Sequence, residues 1–261
     1  MPTLAIIRKP PIAGNRALAY SADMSTPALE CRALCKRYHD QIVLDGIDLA
    51  LLPGESVGLV GVNGAGKTTL IKCLLDLCRP DTGEVRIFGS TATQPSARQH
   101  LAFLPERLMP PHYLTGEDYL RYQLHLRRQP YDPVAAADIL ATLGLENGAL
   151  KKPVRLQSKG MTQKLGLAAC LLTRAPLLIL DEPASGLDPK ARILLKQALQ
   201  QARVNGKALF FSSHDLHDVA ELCDRMAVLH QGNLRFFGSP QTFLERYGAS
   251  SIEHAYLNCI G

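Results

Sequence analysis

One segment of the sequence, GVNGAGKTT at residues 61–69, has the residue types and spacing of a loop that wraps phosphate groups. It fits the pattern G-x-x-x-x-G-K-[ST] and stands between an apolar run and a helical pattern. Glycines let backbone N–H groups approach phosphate oxygens, and the helix N-terminus adds partial positive charge. Lys67 can reach the β- and γ-phosphates, and the Thr68 hydroxyl can ligate Mg²⁺. The residues predicted to bind a nucleoside triphosphate are Gly61, Asn63, Gly64, Ala65, Gly66, Lys67, Thr68 and Thr69.

An acidic pair ends an apolar run in LLILDEPASGLDP, at residues 177–189. Asp181 falls where a buried strand is expected to emerge, and a carboxylate there can hold Mg²⁺ through the ion's water shell. Glu182 points away from Asp181 if the chain is extended. It can polarise an attacking water as a general base, a role worth ~10²–10⁴ in rate. The alternative is that either acid caps a helix, but an acid pair here, in a chain with a phosphate loop, favours nucleotide hydrolysis.

These motifs need elements that bring loop residues together, and the sequence predicts an α/β fold. Apolar runs at Ser56–Val60, Leu177–Leu180 and Ala208–Phe211 are typical of buried parallel strands, and Glu84–Phe88 alternates like a strand. Helical patterns are predicted over Lys67–Leu77, Gly116–Arg128, Pro133–Leu143 and Pro189–Val204. Strands alternating with helices place ligand loops at the carboxyl ends of the strands.

Three further segments, in the expected order, make the sequence similar to the ATP-binding cassette (ABC) ATPase family. LQSKGMTQKL at residues 156–165 resembles the family signature loop, with Ser158 and Gly160 at the serine and second-glycine positions. The resemblance implies that this loop, at a helix N-terminus, clamps the γ-phosphate of ATP held by a second cassette. ASGLDP at residues 184–189 resembles the D-loop, with Asp188 at the position that the family uses at its subunit interface.

FFSSHD at residues 210–215 places His214 at the position of the family's switch histidine, which hydrogen-bonds the γ-phosphate and orients the water. Tyr38 matches the aromatic residue that stacks on adenine. A surface tyrosine is the alternative, because stacking needs only a flat π-face. The resemblance assigns catalysis to Lys67, Glu182 and His214, and adds four residues to the ATP site, namely Tyr38, Ser158, Gly160 and Asp188.

The sequence departs from the usual family pattern at three positions. Glu106, in FLPERL, stands where the family usually has glutamine, and its carboxylate can still ligate Mg²⁺. Lys159 and Met161 replace the usual glycine and glutamine of the signature. Such variants resemble the subgroup that serves ABC-2-type exporters, and so does the segment SSIEHAYLNCIG at residues 250–261. The predicted Mg²⁺ ligands are Thr68, Glu106 and Asp181.

The resemblance implies a P-loop NTPase core with a mixed sheet and an inserted α-helical subdomain. We expect the ABC ATPase domain to span residues 28–261, with the helical subdomain inserted at about 90–165. Residues 1–27 are predicted to form a disordered tail, because Pro10 and Pro11 break any amphipathic helix. Leu4–Ile7 is too short for a signal peptide, and Met24 is an alternative translation start.

Composition narrows the function classes. The 46% apolar and 20% charged residues are ordinary for a globular protein, and the net charge of +5 is too small to argue for nucleic acid. Seven scattered cysteines fit reduced thiols better than a disulfide framework. No run reaches the roughly 18–20 apolar residues of a membrane helix. A transport function would therefore require another polypeptide.

The interpretation that follows is an ATP-hydrolysing subunit, with ATP and Mg²⁺ as cofactors, that powers a separate membrane permease. The resemblance implies a second ABC subunit as partner and a cytoplasmic location, attached to the plasma membrane through the permease. A groove beside Glu106, with Leu108, Met109 and Tyr113, is the predicted docking site. The main alternative is a soluble ABC ATPase acting on ribosomes or DNA, but one phosphate loop and no long coiled coil argue against it. A generic kinase or GTPase lacks the signature loop, D-loop and switch histidine.

Overall fold

The computed structural model describes residues 26–146 and 148–261 of the 261-residue chain. The predicted tail up to residue 25, including the alternative start at Met24, lies outside this part. The strands are β1 (Leu29–Tyr38), β2 (Gln41–Leu51), β3 (Ser56–Val60), β4 (Thr82–Ile87), β5 (Ser90–Thr91), β6 (Leu101–Leu104), β7 (Leu177–Leu180), β8 (Ala208–Ser213), β9 (Arg225–His230) and β10 (Asn233–Gly238). The helices are α1 (Lys67–Leu74), α2 (Pro95–Arg98), α3 (Gly116–Leu126), α4 (Pro133–Thr142), α5 (Gly148–Lys151), α6 (Lys159–Leu172), α7 (Pro189–Val204), α8 (Leu216–Leu222), α9 (Pro240–Arg246) and α10 (Ile252–Ile260).

A six-stranded sheet in the order β10-β9-β3-β8-β7-β6 forms the centre of the fold. Its strands run parallel except β10, which pairs antiparallel with β9. Every residue of β3, β7 and β8 is buried, as expected for strands covered on both faces. The carboxyl ends of β3, β6, β7 and β8 therefore meet at one edge. The phosphate loop, Glu106, the acidic pair and His214 each follow one of these strands.

Two apolar cores lie on the two faces of this sheet. In β7, Leu178 and Leu180 belong to the core shared with α3, α4, α6 and α7, whereas Leu177 and Ile179 face the core shared with α1. The second core also contains the four-stranded antiparallel sheet β2-β1-β4-β5. The mixed sheet with helices confirms the predicted α/β class. No helix among the described residues is both long enough and apolar enough to cross a membrane.

The helical insertion starts later than the expected residue 90. Residues 90–104 add β5 to the antiparallel sheet and β6 to the central sheet, because Leu101–Leu104 pairs in parallel with β7. The helices α3, α4 and α5 follow. Helix α6, which leads back to the central sheet, packs on α3, α4 and β6. A Thr115–Asp118 capping box opens α3, and Asp132 caps α4. We therefore place the insertion between β6 and α6.

Candidate ATP-binding site

The phosphate loop joins β3 directly to α1. Gly66 is the N-cap of α1 with a φ of 108°, a left-handed conformation that L side chains avoid. A Cβ at Gly61 would lie 2.4 Å from the carbonyl oxygen of Leu229. Close packing and backbone conformation thus require glycine at both positions. Asn63, Gly64 and Thr68 are exposed along the loop, where a phosphate chain could reach their backbone N–H groups.

The side chain of Lys67 is buried inside this loop. Its Nζ donates hydrogen bonds to the carbonyl oxygens of Gly61 at 2.6 Å and Val62 at 3.4 Å. The same ammonium lies 4.0 Å from Oε1 of Glu182, which follows β7. The loop thus holds one positive charge where it faces the acids that follow β7.

Asp181 is buried at the carboxyl end of β7. The Ser212 hydroxyl donates to its Oδ1 at 2.6 Å, and the Thr68 hydroxyl lies 3.5 Å from its Oδ2. Burial raises the pKa of Asp181; the Ser212 hydrogen bond lowers it, while the charges of Glu106 and Glu182 raise it further. The carboxylate therefore sits in an excess of negative charge that a cation would relieve.

Glu182 does not continue the extended chain that the sequence suggested. Its φ is 48°, in the left-handed region, and its backbone N–H donates to Oγ of Ser212 at 2.9 Å. Its Oε2 lies 2.8 Å from Nδ1 of His214, which follows β8 and is largely exposed. A non-glycine residue in this conformation costs roughly 1–3 kcal/mol, and such strain is concentrated at functional sites. The turn aims the carboxylate at both Lys67 and His214.

Ser212 is a site residue that the sequence analysis did not single out. Its hydroxyl accepts the N–H of Glu182 and donates to Asp181, so it fixes both acids at once. The available signal was the pair of serines at residues 212 and 213, which ends an otherwise apolar strand inside the predicted switch segment.

Glu106 lies two residues beyond β6 and is exposed. The Asp181 N–H donates to the carbonyl of Leu104 at 2.8 Å, which ties the ends of β6 and β7 together. In the described part of the chain, no three His, Cys, Asp or Glu side chains surround one point as metal ligands. One or two carboxylates with a threonine hydroxyl nevertheless suit Mg²⁺, which takes its remaining oxygens from phosphate and water.

The signature segment contacts the loop after Glu182. Ser158 caps α6 and accepts the Met161 N–H at 3.2 Å. Lys159 Nζ donates to Ser185 Oγ at 3.2 Å, and a Cβ at Gly160 would lie 3.1 Å from the Gly186 carbonyl. The contact of Ser158 described above lies within α6, and that of Gly160 is with the D-loop. Neither of these contacts involves the phosphate loop of the same chain.

Comparison with known proteins identifies the family of this chain. The family model described as "ABC transporter" matches residues 44–185, more than half of the chain. The chain belongs to the ABC transporter family. It is an ATP-binding subunit of that family, whose cassettes hydrolyse ATP to power transport.

Relatives of this ABC subunit carry transport names. Nod factor export ATP-binding protein I of Burkholderia thailandensis is 34% identical over 235 residues, covering 88% of this chain and 77% of that protein. An uncharacterized ABC transporter ATP-binding protein of Nostoc is 38% identical over 201 residues, covering 76% of this chain. The alignment spans only 60% of that Nostoc protein. None of the relatives described here is named for work on ribosomes or DNA.

Solved structures support the same fold. The ATP-binding subunit of an ABC transporter aligns with a TM-score of 0.80 and 29% identity, over 89% of this chain and 99% of that one. A bacterial ABC transporter cassette solved as a dimer aligns with a TM-score of 0.74 and 20% identity, over 81% of this chain and 98% of that one. The second likeness shows the fold alone.

The remaining predicted residues of the ABC subunit lie at the margins of the site. Tyr38 ends β1 with 44% of its surface exposed, and its hydroxyl lies 3.2 Å from Sγ of Cys78, just beyond α1. Its ring is thus available beside the helix that begins at the phosphate loop. Asp188 caps α7 by accepting the Ala191 N–H at 2.8 Å.

Proposed function

We propose that this chain is the ATP-hydrolysing subunit of an ABC-2-type exporter, driving a separately encoded membrane permease. The observation that carries the ATPase part is the convergence of Lys67, Glu182 and His214 beside Asp181 at one sheet edge. The Glu182 carboxylate lies 4.0 Å from Lys67 Nζ and 2.8 Å from His214 Nδ1. The exporter part is supported by the names of the Nod factor export relatives and by the variant signature residues Lys159 and Met161.

Mg²⁺ belongs to this proposal, and Thr68, Asp181 and Glu106 are the residues that would hold it. The ion supplies charge neutralisation at the phosphates. Burial raises the pKa of Asp181, and the charges of Glu106 and Glu182 raise it further, so a bound cation would stabilise the charged carboxylate. Asn63, Gly64, Ala65 and Thr69 complete the phosphate cradle, and Tyr38 stacks on the base.

In the hydrolysis step, Glu182 accepts a proton from the attacking water at its carboxylate. Oε2 of Glu182 faces His214, which orients the carboxylate. Oε1 faces Lys67, which binds the β- and γ-phosphates. Because the left-handed turn at Glu182 is anchored by Ser212, the carboxylate is held in position before the nucleotide binds.

A second cassette completes the site. Ser158 caps α6 and Gly160 packs against the Gly186 carbonyl of its own D-loop, away from the phosphate loop of the same chain. The two residues would therefore serve the nucleotide held by the facing subunit, with Asp188 at the interface. Two cassettes then enclose two ATP molecules, and closing on ATP and reopening after hydrolysis drive the permease. The family membership and the dimeric structural neighbour support this arrangement.

The permease would dock beside Glu106, on the helical insertion. Met109 and Tyr113 are 84% and 81% exposed, which suits an apolar contact with a membrane subunit. Leu108 does not belong to that surface, because its Cδ2 would lie 2.3 Å from a Cβ at Gly166, which marks it as packed against α6. The subunit would thus sit on the cytoplasmic side of the plasma membrane.

The test is capture of the permease by a trapped subunit. Tagged Glu182→Gln chain with ATP and Mg²⁺ is mixed with detergent-solubilised membranes of the native host. Recovery of one polytopic membrane protein supports the proposal, provided that the Met109→Asp/Tyr113→Asp variant loses it and a Tyr122→Asp control retains it. Recovery of ribosomal or DNA-bound proteins without a membrane partner would overturn the exporter assignment and leave the ATPase chemistry standing.

A further inference from the structure

The end of strand β1 carries a lysine that is mostly buried. Only 14% of the Lys36 side chain is exposed, although lysine is rarely buried without a partner. Its Nζ donates to the carbonyl oxygen of Arg79 at 2.9 Å and to Oδ1 of Asp81 at 3.2 Å. The ammonium is therefore held between β1 and the segment that joins α1 to β4.

Asp81 also binds the backbone of this end of β1. Its Oδ2 accepts the Arg37 N–H at 2.6 Å, and its own N–H donates to the carbonyl of Cys35 at 2.9 Å. The Arg37 N–H, and after it the Lys36 ammonium, lower the pKa of Asp81, so its carboxylate stays charged near neutral pH. Because β1 pairs with β4 only as far as Cys35 and Thr82, the bonds to Lys36 and Arg37 anchor β1 beyond its last residue paired with β4.

The held ammonium lies over the ring of Tyr38. Lys36 and Tyr38 are two residues apart in β1, and the distance from Nζ to the ring centroid is 5.3 Å. A cation within about 6 Å of an aromatic centroid, over the face of the ring, is attracted by the π-electrons. A ring has two faces, and Lys36 lies over one of them. The opposite face of Tyr38 is therefore the one on which a base could stack.

We propose that Lys36, held by Asp81, is a positioning residue of the base subsite, which fixes the plane of the Tyr38 ring for stacking on adenine. A ring that must be immobilised when the nucleotide binds reduces the affinity, because its rotational freedom is lost. The cation holds the ring before ATP arrives, so this loss is smaller. Lys36 thus acts through Tyr38 and does not need to touch ATP. The inference rests on the stacking of Tyr38 on adenine, which is part of the proposed function.

The affinities of the full chain for two ligands test this role. Displacement of a fluorescent ATP analogue gives the Kd for ATP, and the same assay with inorganic tripolyphosphate measures phosphate binding without a base. Lys36→Met keeps the length of the side chain and removes its charge. It is expected to raise the Kd for ATP about two- to fivefold, the worth of one cation–π contact. The Kd for tripolyphosphate should change no more than in Lys72→Met, which removes an exposed lysine of α1 as the matched control.

Two further variants separate positioning from a general loss of stability. Asp81→Asn can still accept the Arg37 N–H but loses the ion pair with Lys36, so the Kd for ATP should rise about twofold while that for tripolyphosphate stays unchanged. In a Tyr38→Ala chain, Lys36→Met should cause no further rise in the Kd for ATP, because its effect passes through the ring.

The role of Lys36 is overturned if Lys36→Met keeps the wild-type Kd for ATP, or weakens ATP and tripolyphosphate equally. An additive loss in the Tyr38→Ala chain would also overturn it, since Lys36 would then act on the nucleotide directly. Should Lys36→Met fail to fold, Asp81→Asn decides with the same two ligands. A Tyr38→Ala chain that binds ATP like the wild type would refute the stacking in the proposed function. A weakened Tyr38→Ala chain with an unchanged Lys36→Met chain would refute the positioning role alone.

Discussion

Nδ1 of His214 lies 2.8 Å from Oε2 of Glu182, so two residues that follow neighbouring parallel strands meet over the phosphate loop. The contact requires a proton on Nδ1 if the carboxylate is charged. The base and its orienting residue are thus paired by the register of β7 and β8, without help from the helical insertion.

The first prediction concerns Glu182 itself. Glu182→Gln keeps the shape of the side chain and removes the base, so ATP turnover should fall by ~10²–10⁴ while ATP binding persists. Steady-state hydrolysis and equilibrium binding of ATP measure the two effects. Glu221→Gln, an exposed acid that pairs with Lys196, serves as the control. A Glu182→Gln chain that hydrolyses ATP at the wild-type rate would remove Glu182 from the base role.

Ser212→Ala tests the shared hydroxyl between the two acids. The substitution removes the donor to a buried carboxylate and the acceptor for the Glu182 N–H, so we expect a loss of roughly 1–3 kcal/mol in the free energy of unfolding. ATP turnover should fall more than ATP affinity, because both acids lose their orientation. Urea denaturation and ATPase kinetics test this against Ser96→Ala, an exposed serine in α2. An unchanged kcat would show that the Ser212 hydroxyl does not position the two acids for catalysis.

The sequence predicts those parts of the fold that the burial of a short apolar run determines. Leu177–Leu180 and Ser56–Val60 are strands at the predicted bounds, since short, largely apolar runs of this length fit buried strands. The helix expected to reach Leu77 ends at Leu74, because Asp76 adopts a φ of 57° and the Leu77 N–H bonds back to Lys72. No glycine or proline marks that turn in the sequence.

The residues of the site also divide into those that the local sequence predicts and those that it does not. The phosphate loop and acidic pair could be found from local spacing, because their chemistry depends on adjacent residues. The left-handed turn at Glu182, the bridging role of Ser212 and the packing of Leu108 on Gly166 arise from strand register and helix packing. These are tertiary relationships that a local pattern does not encode.

Tyr38 offers a prediction on the affinity for ATP. If its ring stacks on adenine, Tyr38→Phe should keep ATP affinity, whereas Tyr38→Ala should weaken it about 2–12-fold, the worth of an aromatic pair. Binding of a fluorescent ATP analogue provides the measurement. Tyr122→Ala is a suitable control, since that ring is 48% exposed on α3. Equal affinities for Tyr38→Ala and wild type would support a plain surface tyrosine.

The bond between Lys159 and Ser185 joins the signature segment to the D-loop. We expect Lys159→Met and Ser185→Ala each to lower the ATPase rate about twofold, as for an exposed contact. The double variant should be no worse than either single one, because both remove the same link. A double-mutant cycle on kcat, with Lys190→Met as control, measures the coupling. Additive losses would show that the two side chains act separately.

Lys207 gives a prediction on pH and stability. Burial lowers its pKa to about 8, although its Nζ donates to the carbonyls of Thr173 at 2.8 Å and Ala175 at 2.7 Å. The unfolded chain keeps this proton up to the ordinary value of 10.5, so folding gains stability as the pH rises from about 8 toward 10.5. Below pH 8 both states are protonated and the gain is absent.

Lys207→Met removes this group and should abolish that gain. The free energy of unfolding of the wild type, minus that of the variant, should therefore rise by up to ~1.4 kcal/mol per pH unit in this window. Taking the difference cancels the buried thiol of Cys31, whose raised pKa of about 12 opposes the trend. Urea denaturation at pH 7, 8, 9 and 10 measures it, with Lys190→Met as the exposed control. A difference that stays flat across the window would mean that Lys207 keeps its proton in the folded chain.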